Sequence, residues 1–436
     1  MEIDRDNSEV YYRDIYPFTD VPRFIVSSDL SENLSKIYLT DTTLRDGQQG
    51  WRVFTIEECE KIYELLADIG GRGAIDSTEV FLYTEKDREV VKRLLSYGYR
   101  YPKVIGWIRA TLSDLQLVID SKIDEAVVLM SISDYHIKYK FNATREEVFK
   151  KYLEVAEKAL NHGITIRCSL EDITRADING AVIPFIKRLL MLNEKYKVPI
   201  KIKLPDTLGL GLPFPEVPLP RGIPIIIQSI RRATNIPQEY IEFHGHNDFG
   251  LVIANHLSAW IYGAAASNCT LLGIGERAGN CPLEVMAIHY AGLKGQGDIN
   301  LKALPRIVDL FEHMGHKLIE HYPVIGRNAF RTKAGIHADG LLKNPEVYLP
   351  FDPIKVLGIP YGVAITPYSG RSAILLWLRN YLGLNHLNKD DQRINYIYND
   401  IVELYNRSNR TEPLSDDEMF LIAKKYFPEV DRTKRL

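Results

Sequence analysis

With 54 basic against 57 acidic side chains in 436 residues and a formal charge of −3, the chain carries no global field suited to nucleic acid or an anionic membrane. No apolar run approaches a membrane span, and the start, Met1-Glu2-Ile3-Asp4-Arg5-Asp6, lacks the apolar core of a signal peptide, so a soluble cytoplasmic protein is expected. Cys59, Cys168, Cys269 and Cys281 have no metal-knuckle spacing and read as reduced, packed thiols.

In chain order, the first apolar run, Ile37-Tyr38-Leu39, leads into the acidic motif Asp41-Thr42-Thr43-Leu44-Arg45-Asp46-Gly47. Thr55 and Glu58 carry a capping-box signature, Ile56, Cys59, Ile62, Tyr63 and Leu66 mark one helix face, and Gly70-Gly71 stops the helix. Further runs begin at Ala74, Val104 and Ala126. Thr144 and Glu147 repeat the capping box, with Val148, Phe149, Tyr152, Leu153, Ala156 and Leu160 as the stripe and Gly163 as the stop. Runs over 164–170, 199–204, 240–243 and 266–272 complete eight strand–helix pairs, and Asn280 is expected to cap the last helix with Pro282 in its first turn.

Eight such units with right-handed crossovers predict an α/β fold, a parallel TIM (β/α)8 barrel over 37–300, with its chemistry where strands end. An open doubly wound sheet is the alternative. An N-terminal extension covers 1–36, a linker and subdomain 301–372, and a helical C-terminal subdomain 373–436. The Gly273-Ile274-Gly275-Glu276-Arg277-Ala278-Gly279 segment has its third glycine one residue late for a dinucleotide loop.

Side chains at i, i+2 and i+4 of an extended segment share a face, so Glu242, His244 and His246 point one way. A neutral imidazole pair with one carboxylate holds a divalent ion and leaves positions open, and Asp46 is the available oxygen donor. On the fifth strand Arg167, Ser169 and Glu171 share a polar face. An arginine in a barrel mouth calls for an anion, either a substrate carboxylate or an internal partner, Glu171.

Together these segments resemble the metal-dependent enzymes that condense an acyl-CoA with a 2-oxo acid, the isopropylmalate and homocitrate synthases. Residues Asp41 to Gln48, His244 to Asp248, Gly273 to Glu284, Gly335 to Gly340 and Ser369-Gly370-Arg371 fall in the family order. The resemblance implies an acyltransferase with a divalent ion on Asp46, His244 and His246: manganese or cobalt, with magnesium and zinc as alternatives. It implies that Arg45 polarises the substrate oxygen and that Thr207 binds the first carboxylate. It further implies that His337, as base, and Tyr348 reach into a neighbouring subunit's barrel, hence a homodimer with shared active sites. Glu242 is implied as the partner of that base, or as support for the metal histidines.

The Arg167-x-Ser169-x-Glu171 pattern resembles members whose oxo acid is dicarboxylic, with all three residues binding substrate. Ser133 to Ile137, Glu171 to Asp177 and Gly279 to Glu284 most resemble the branch that joins acetyl-CoA to oxaloacetate and releases citrate and CoA. Homocitrate or isopropylmalate synthesis is the second reading, and a non-catalytic metabolite-binding paralogue the third.

Overall fold

The computed structural model describes residues 12–430, so the charged opening segment Met1 to Asp6 lies outside the described residues. These form two compact units, one from Phe24 to Met314 and one joining the residues up to Arg23 with those from Gly315 onward.

In the first unit eight parallel strands close into a barrel in chain order. They are β1 (Tyr38–Asp41), β2 (Ile75–Val80), β3 (Lys103–Arg109), β4 (Glu125–Ser131), β5 (Thr165–Glu171), β6 (Ile200–Asp206), β7 (Ile241–Gly245) and β8 (Ala266–Cys269). β1 pairs with β8, which closes the ring and excludes the open doubly wound sheet. The helices between begin as their sequences dictate. Thr55 accepts from the Glu58 amide while Glu58 answers the Thr55 amide at 2.7 Å, and Thr144 with Glu147 repeats the exchange. The faces they turn inward, such as Cys59, Ile62 and Leu66 on the first and Val148, Tyr152 and Ala156 on the second, are buried, as are outward strand residues such as Ile166, Cys168 and Leu170.

One helix start departs from expectation. The helix Leu283–Lys294 has Pro282 at its N-cap, and Asn280 does not cap it, because its amide is drawn into the barrel mouth.

The barrel interior also differs from the usual layers of branched apolar side chains. Thr40, Glu79, Glu125, Arg167, Lys203, Glu242, His244 and Asn268 are all buried there. Register places Arg167 beside Lys201 and Lys203 beside Glu242, so charged side chains of β5 and β6, and of β6 and β7, are neighbours.

The second unit is mainly helical. Two short parallel strands, Arg331–Thr332 and Gly362–Val363, lie among helices Gly335–Lys343, Gly370–Leu382, Gln392–Arg407 and Asp416–Tyr426, each packed on the next. Trp377 anchors this core, stacking on Tyr381 with ring centroids 5.2 Å apart and donating Nε1–H to Asp416 at 3.0 Å. Among the described residues no helix is long and apolar enough to cross a membrane.

Candidate metal centre and active site

Where β1 ends, the Thr42 carbonyl accepts from the amides of Arg45, Asp46 and Gly47 at 3.2, 2.8 and 3.2 Å, a π-helical turn that faces Arg45 and Asp46 into the mouth. Asp41 braces the turn, accepting from the Thr43 amide at 3.0 Å and the Thr78 hydroxyl at 2.7 Å. Burial nevertheless pushes its carboxyl up to about 7.

Across the mouth, β7 delivers His244 and the residue beyond its end delivers His246. The two Nε2 atoms lie 3.2 Å apart, and Asp46 Oδ2 is 3.8 Å from one and 3.9 Å from the other. The tautomer of His244 can be derived. Lys203 Nζ can only donate, so the Asn268 atom 2.8 Å from it must be the amide oxygen. That same oxygen lies 2.7 Å from His244 Nδ1, which therefore carries the proton and leaves the Nε2 lone pair facing Asp46 and His246. Burial, then Lys203, His246 and Arg45, hold the His244 pKa well below its ordinary value, and burial lowers that of His246. Two neutral imidazoles and a carboxylate converge, with His246 Nδ1 and Asn280 Oδ1 buried and unpartnered beside them. This donor set fits a divalent cation.

Arg45 is fixed on both sides. Its Nη1 meets Asp46 Oδ1 at 2.9 Å, its Nε and Nη2 meet Glu79 Oε2 at 3.2 and 3.0 Å, and it lies over the Trp107 ring, 5.2 Å from the centroid. Asn280 Nδ2 donates to Asp46 Oδ2 at 2.6 Å. Gly275 makes room for that amide, since a Cβ there would run into the Asn280 side chain. The glycines of 273–279 thus shape a loop around a metal-binding candidate, not a dinucleotide loop.

The cavity above these groups measures about 260 Å³, and Arg45, Asp46, Ser169, Lys203, Thr207 and His244 are among its walls. Thr207 Oγ1 accepts from the Asp172 amide at 2.8 Å, which leaves its hydroxyl proton to donate. Glu171 also lines the cavity but takes bonds from Lys140 at 2.9 Å and from Ser131. Against the upward pull of burial, a hydrogen bond from His136 and the charge of Lys140 bring its carboxyl down to about 2.

Two expectations are corrected. Arg167 is not in the mouth. It is 0% exposed, and its guanidinium is divided between Glu125, at 2.6 Å, and Glu242. The alternative pairing with Glu171 does not form either. Glu242 lies in the barrel interior, accepting from Thr40 at 2.9 Å and from Arg167, so the support of His244 comes from Asn268 instead. Asn268, Glu79, Lys203, Trp107 and Asn280 are site residues that reading the sequence did not single out. The alternating Lys201 and Lys203 of β6 were the available signal.

His337 and Tyr348 belong to the second unit. Their exposed rings lie side by side, 4.3 Å between centroids, with Thr332 Oγ1 at 3.1 Å from His337 Nδ1.

The HMGL-like family model matches residues 36–311, and the model for the homocitrate synthase post-HMGL domain-like segment matches 324–409. A citrate (Re)-synthase of Clostridium kluyveri is 43% identical over 97% of this chain and 95% of its own. A citrate (Re)-synthase of Syntrophus aciditrophicus is 37% identical over 98% of this chain and 69% of its own. Among solved structures, hydroxymethylglutaryl-CoA lyase from Pseudomonas aeruginosa aligns with a TM-score of 0.52 at 17% identity, covering 65% of this chain and 94% of that one, a likeness of fold alone.

The buried pairing of Arg167 makes a stability prediction. Arg167→Leu leaves Glu125 with Lys201 alone and Glu242 with no cation at hydrogen-bonding distance, and should cost about 3–5 kcal/mol in chemical denaturation. A variant as stable as the parent would contradict the pairing.

A second prediction concerns acid. Burial opposes ionisation of Glu125, but Arg167 and Lys201 outweigh it and bring the carboxyl from an ordinary 4.5 down to about 2, as for Glu171. A depressed carboxylate contributes stability in full above its unfolded pKa and loses it as pH falls towards the folded one. The melting temperature should therefore drop steeply between pH 4.5 and about 2. Glu125→Gln should flatten that part of the curve.

Proposed function

We propose that this chain, which belongs to the HMGL-like family, is a citrate (Re)-synthase that condenses acetyl-CoA with oxaloacetate and releases citrate and CoA. The observation that carries the reading is the convergence of Asp46, His244 and His246 beside Arg45 at the strand ends, in a chain that matches curated citrate (Re)-synthases over nearly its whole length.

Asp46, His244 and His246 would hold the divalent ion, for which manganese or cobalt suits the mixed oxygen and imidazole set, with magnesium or zinc as alternatives. When bound, such an ion supplies Lewis acidity to the keto group of the oxo acid.

The chain's own residues do the rest. Thr207 donates its hydroxyl to the carboxylate next to the keto carbon. Arg45, locked by Glu79 and Trp107, presents positive charge where the keto oxygen becomes an alkoxide, with no reorganisation at that moment. His337 takes a methyl proton from the acetyl thioester, so that the methyl carbon attacks the keto carbon. Thr332 engages Nδ1 of that ring and leaves Nε2 for the proton. Tyr348 packs on the ring and steadies it. Water then cleaves the thioester to citrate and free CoA. Because His337 and Tyr348 sit exposed on the second unit, the reading includes a homodimer in which they serve a partner's barrel.

Free thiol release from acetyl-CoA, measured over a panel of oxo acids and added metals, tests the function. Oxaloacetate should be the preferred acceptor, chelation should abolish turnover, and labelled acetyl groups should enter the citrate arm that attack on the re face defines. Preference for 2-oxoglutarate or 2-oxoisovalerate would instead favour homocitrate or isopropylmalate synthesis.

The shared site has its own test. His244→Ala and His337→Ala should each be inactive alone, and co-refolded mixed dimers should regain activity because one of their two sites is intact. Inactivity in verified mixed dimers would reject the exchange.

A further inference from the structure

Resting on the reading that the acceptor is a short dicarboxylic oxo acid, we propose that Lys203 is the specificity-determining cation that binds its second carboxylate, the role expected of Arg167. Three cations line the cavity: Arg45, Lys203 and Arg277. Arg45 is divided between Asp46 and Glu79 at the keto end. Arg277 lies at the rim with a side chain 40% exposed, held by Asp248 at 2.7 Å and by the Thr207 carbonyl. Lys203 is different, being 1% exposed at the closed end of the cavity.

An ammonium has three N–H donors. One of Lys203's goes to Glu79 Oε1 and one to Asn268 Oδ1 at 2.8 Å. The only other acceptor paired with it is Glu242 Oε1, at 3.5 Å too far for a good hydrogen bond, so the third N–H is uncommitted among the described residues. Glu242 does not depend on it, since Thr40 donates to Oε1 at 2.9 Å and Arg167 to Oε2. The floor of the cavity therefore carries a desolvated cation with a donor to spare.

Its surroundings fit a carboxylate. Ser169 is register neighbour to Lys203 across β5 and β6, lines the same cavity, and has a hydroxyl with no hydrogen-bond partner among the described residues. Lys203 and His244 share a single acceptor, Asn268 Oδ1, so the floor cation lies one amide away from the imidazole of the keto end. A monocarboxylic acid would leave the ammonium and the serine hydroxyl desolvated and facing carbon, which is how a buried polar site rejects an analogue lacking the matching group.

Equilibrium binding to the full-length, manganese-loaded protein tests this without turnover. Malate and lactate, a dicarboxylic and a monocarboxylic 2-hydroxy acid, serve as unreactive probes in calorimetry. The parent should bind malate at least about 30-fold more tightly than lactate, and Lys203→Gln should bring the ratio close to one, with manganese occupancy followed by paramagnetic resonance so that the two ratios are compared between metal-loaded proteins. If Lys203→Gln fails to fold, the charge-balanced Lys203→Gln/Glu79→Gln pair carries the same measurement, because the ratio cancels effects common to both acids. A ratio unchanged in the variant, or no malate preference in the parent, overturns the proposal. Failure of the function reading looks different: oxaloacetate would not support thiol release although malate preference still vanished with Lys203.

Discussion

The structure depends on a buried chain of alternating charges that runs the height of the barrel. Lys201 meets Glu125 at 2.8 Å, Glu125 meets Arg167 at 2.6 Å, and Arg167 meets Glu242. Lys203 stands 3.5 Å from Glu242 and contacts Glu79, which holds Arg45 at 3.0 Å, which in turn meets Asp46 at 2.9 Å. Four basic and four acidic side chains thus alternate along the chain. Buried pairs of this kind seldom stabilise a fold beyond what apolar side chains of similar volume would provide. Their presence, in place of branched apolar layers, reflects the demands of the mouth more than those of the core.

The chain of charges sets the chemistry of the mouth by fixing protons and orientations. Lys203 decides which end of Asn268 is oxygen, Asn268 decides which nitrogen of His244 holds the proton, and the remaining lone pair faces Asp46 and His246. Glu79, drawn well below the usual carboxylate range by Lys203 and Arg45 despite its burial, is the hinge of the arrangement, because it orients Arg45 through two nitrogens. A substitution at Glu79 would therefore reach both the arginine and the histidine without touching either donor atom. Preorganisation of this sort is effective because the groups have no freedom left to lose when charge develops beside them.

How much of this was legible in the sequence follows from periodicity. Barrel and mouth motifs were readable because strands buried on both faces leave apolar runs, and because Asp46 and the His244, His246 pair sit where strands end. The interior was harder to read. A lysine between isoleucines, as in Ile200-Lys201-Ile202-Lys203, looks like one side of an edge strand facing solvent, and only closure of the sheet turns that side inward. Arg167 looks like a mouth residue on the same local evidence. Its depth is set by register with Lys201 on β6, which no single strand reveals. Asn280 carried an ordinary capping signal ahead of Pro282. It serves Asp46 instead because Gly275, five residues earlier, leaves space for its amide.

Charge balance links the two ligands of the proposed reaction. With both histidines neutral, the alternating chain has equal numbers of acidic and basic side chains, so a divalent cation alone would add two uncompensated charges to a region of low dielectric. In the proposed binding mode an acceptor carrying two carboxylates would restore that balance, one near Arg45 and Thr207, the other near Lys203. A monocarboxylic acceptor leaves half the imbalance. Cation and diacid should then each favour binding of the other, by reciprocal coupling, with no conformational change required. Selectivity for a diacid would follow from the interior of the barrel as much as from the shape of its mouth.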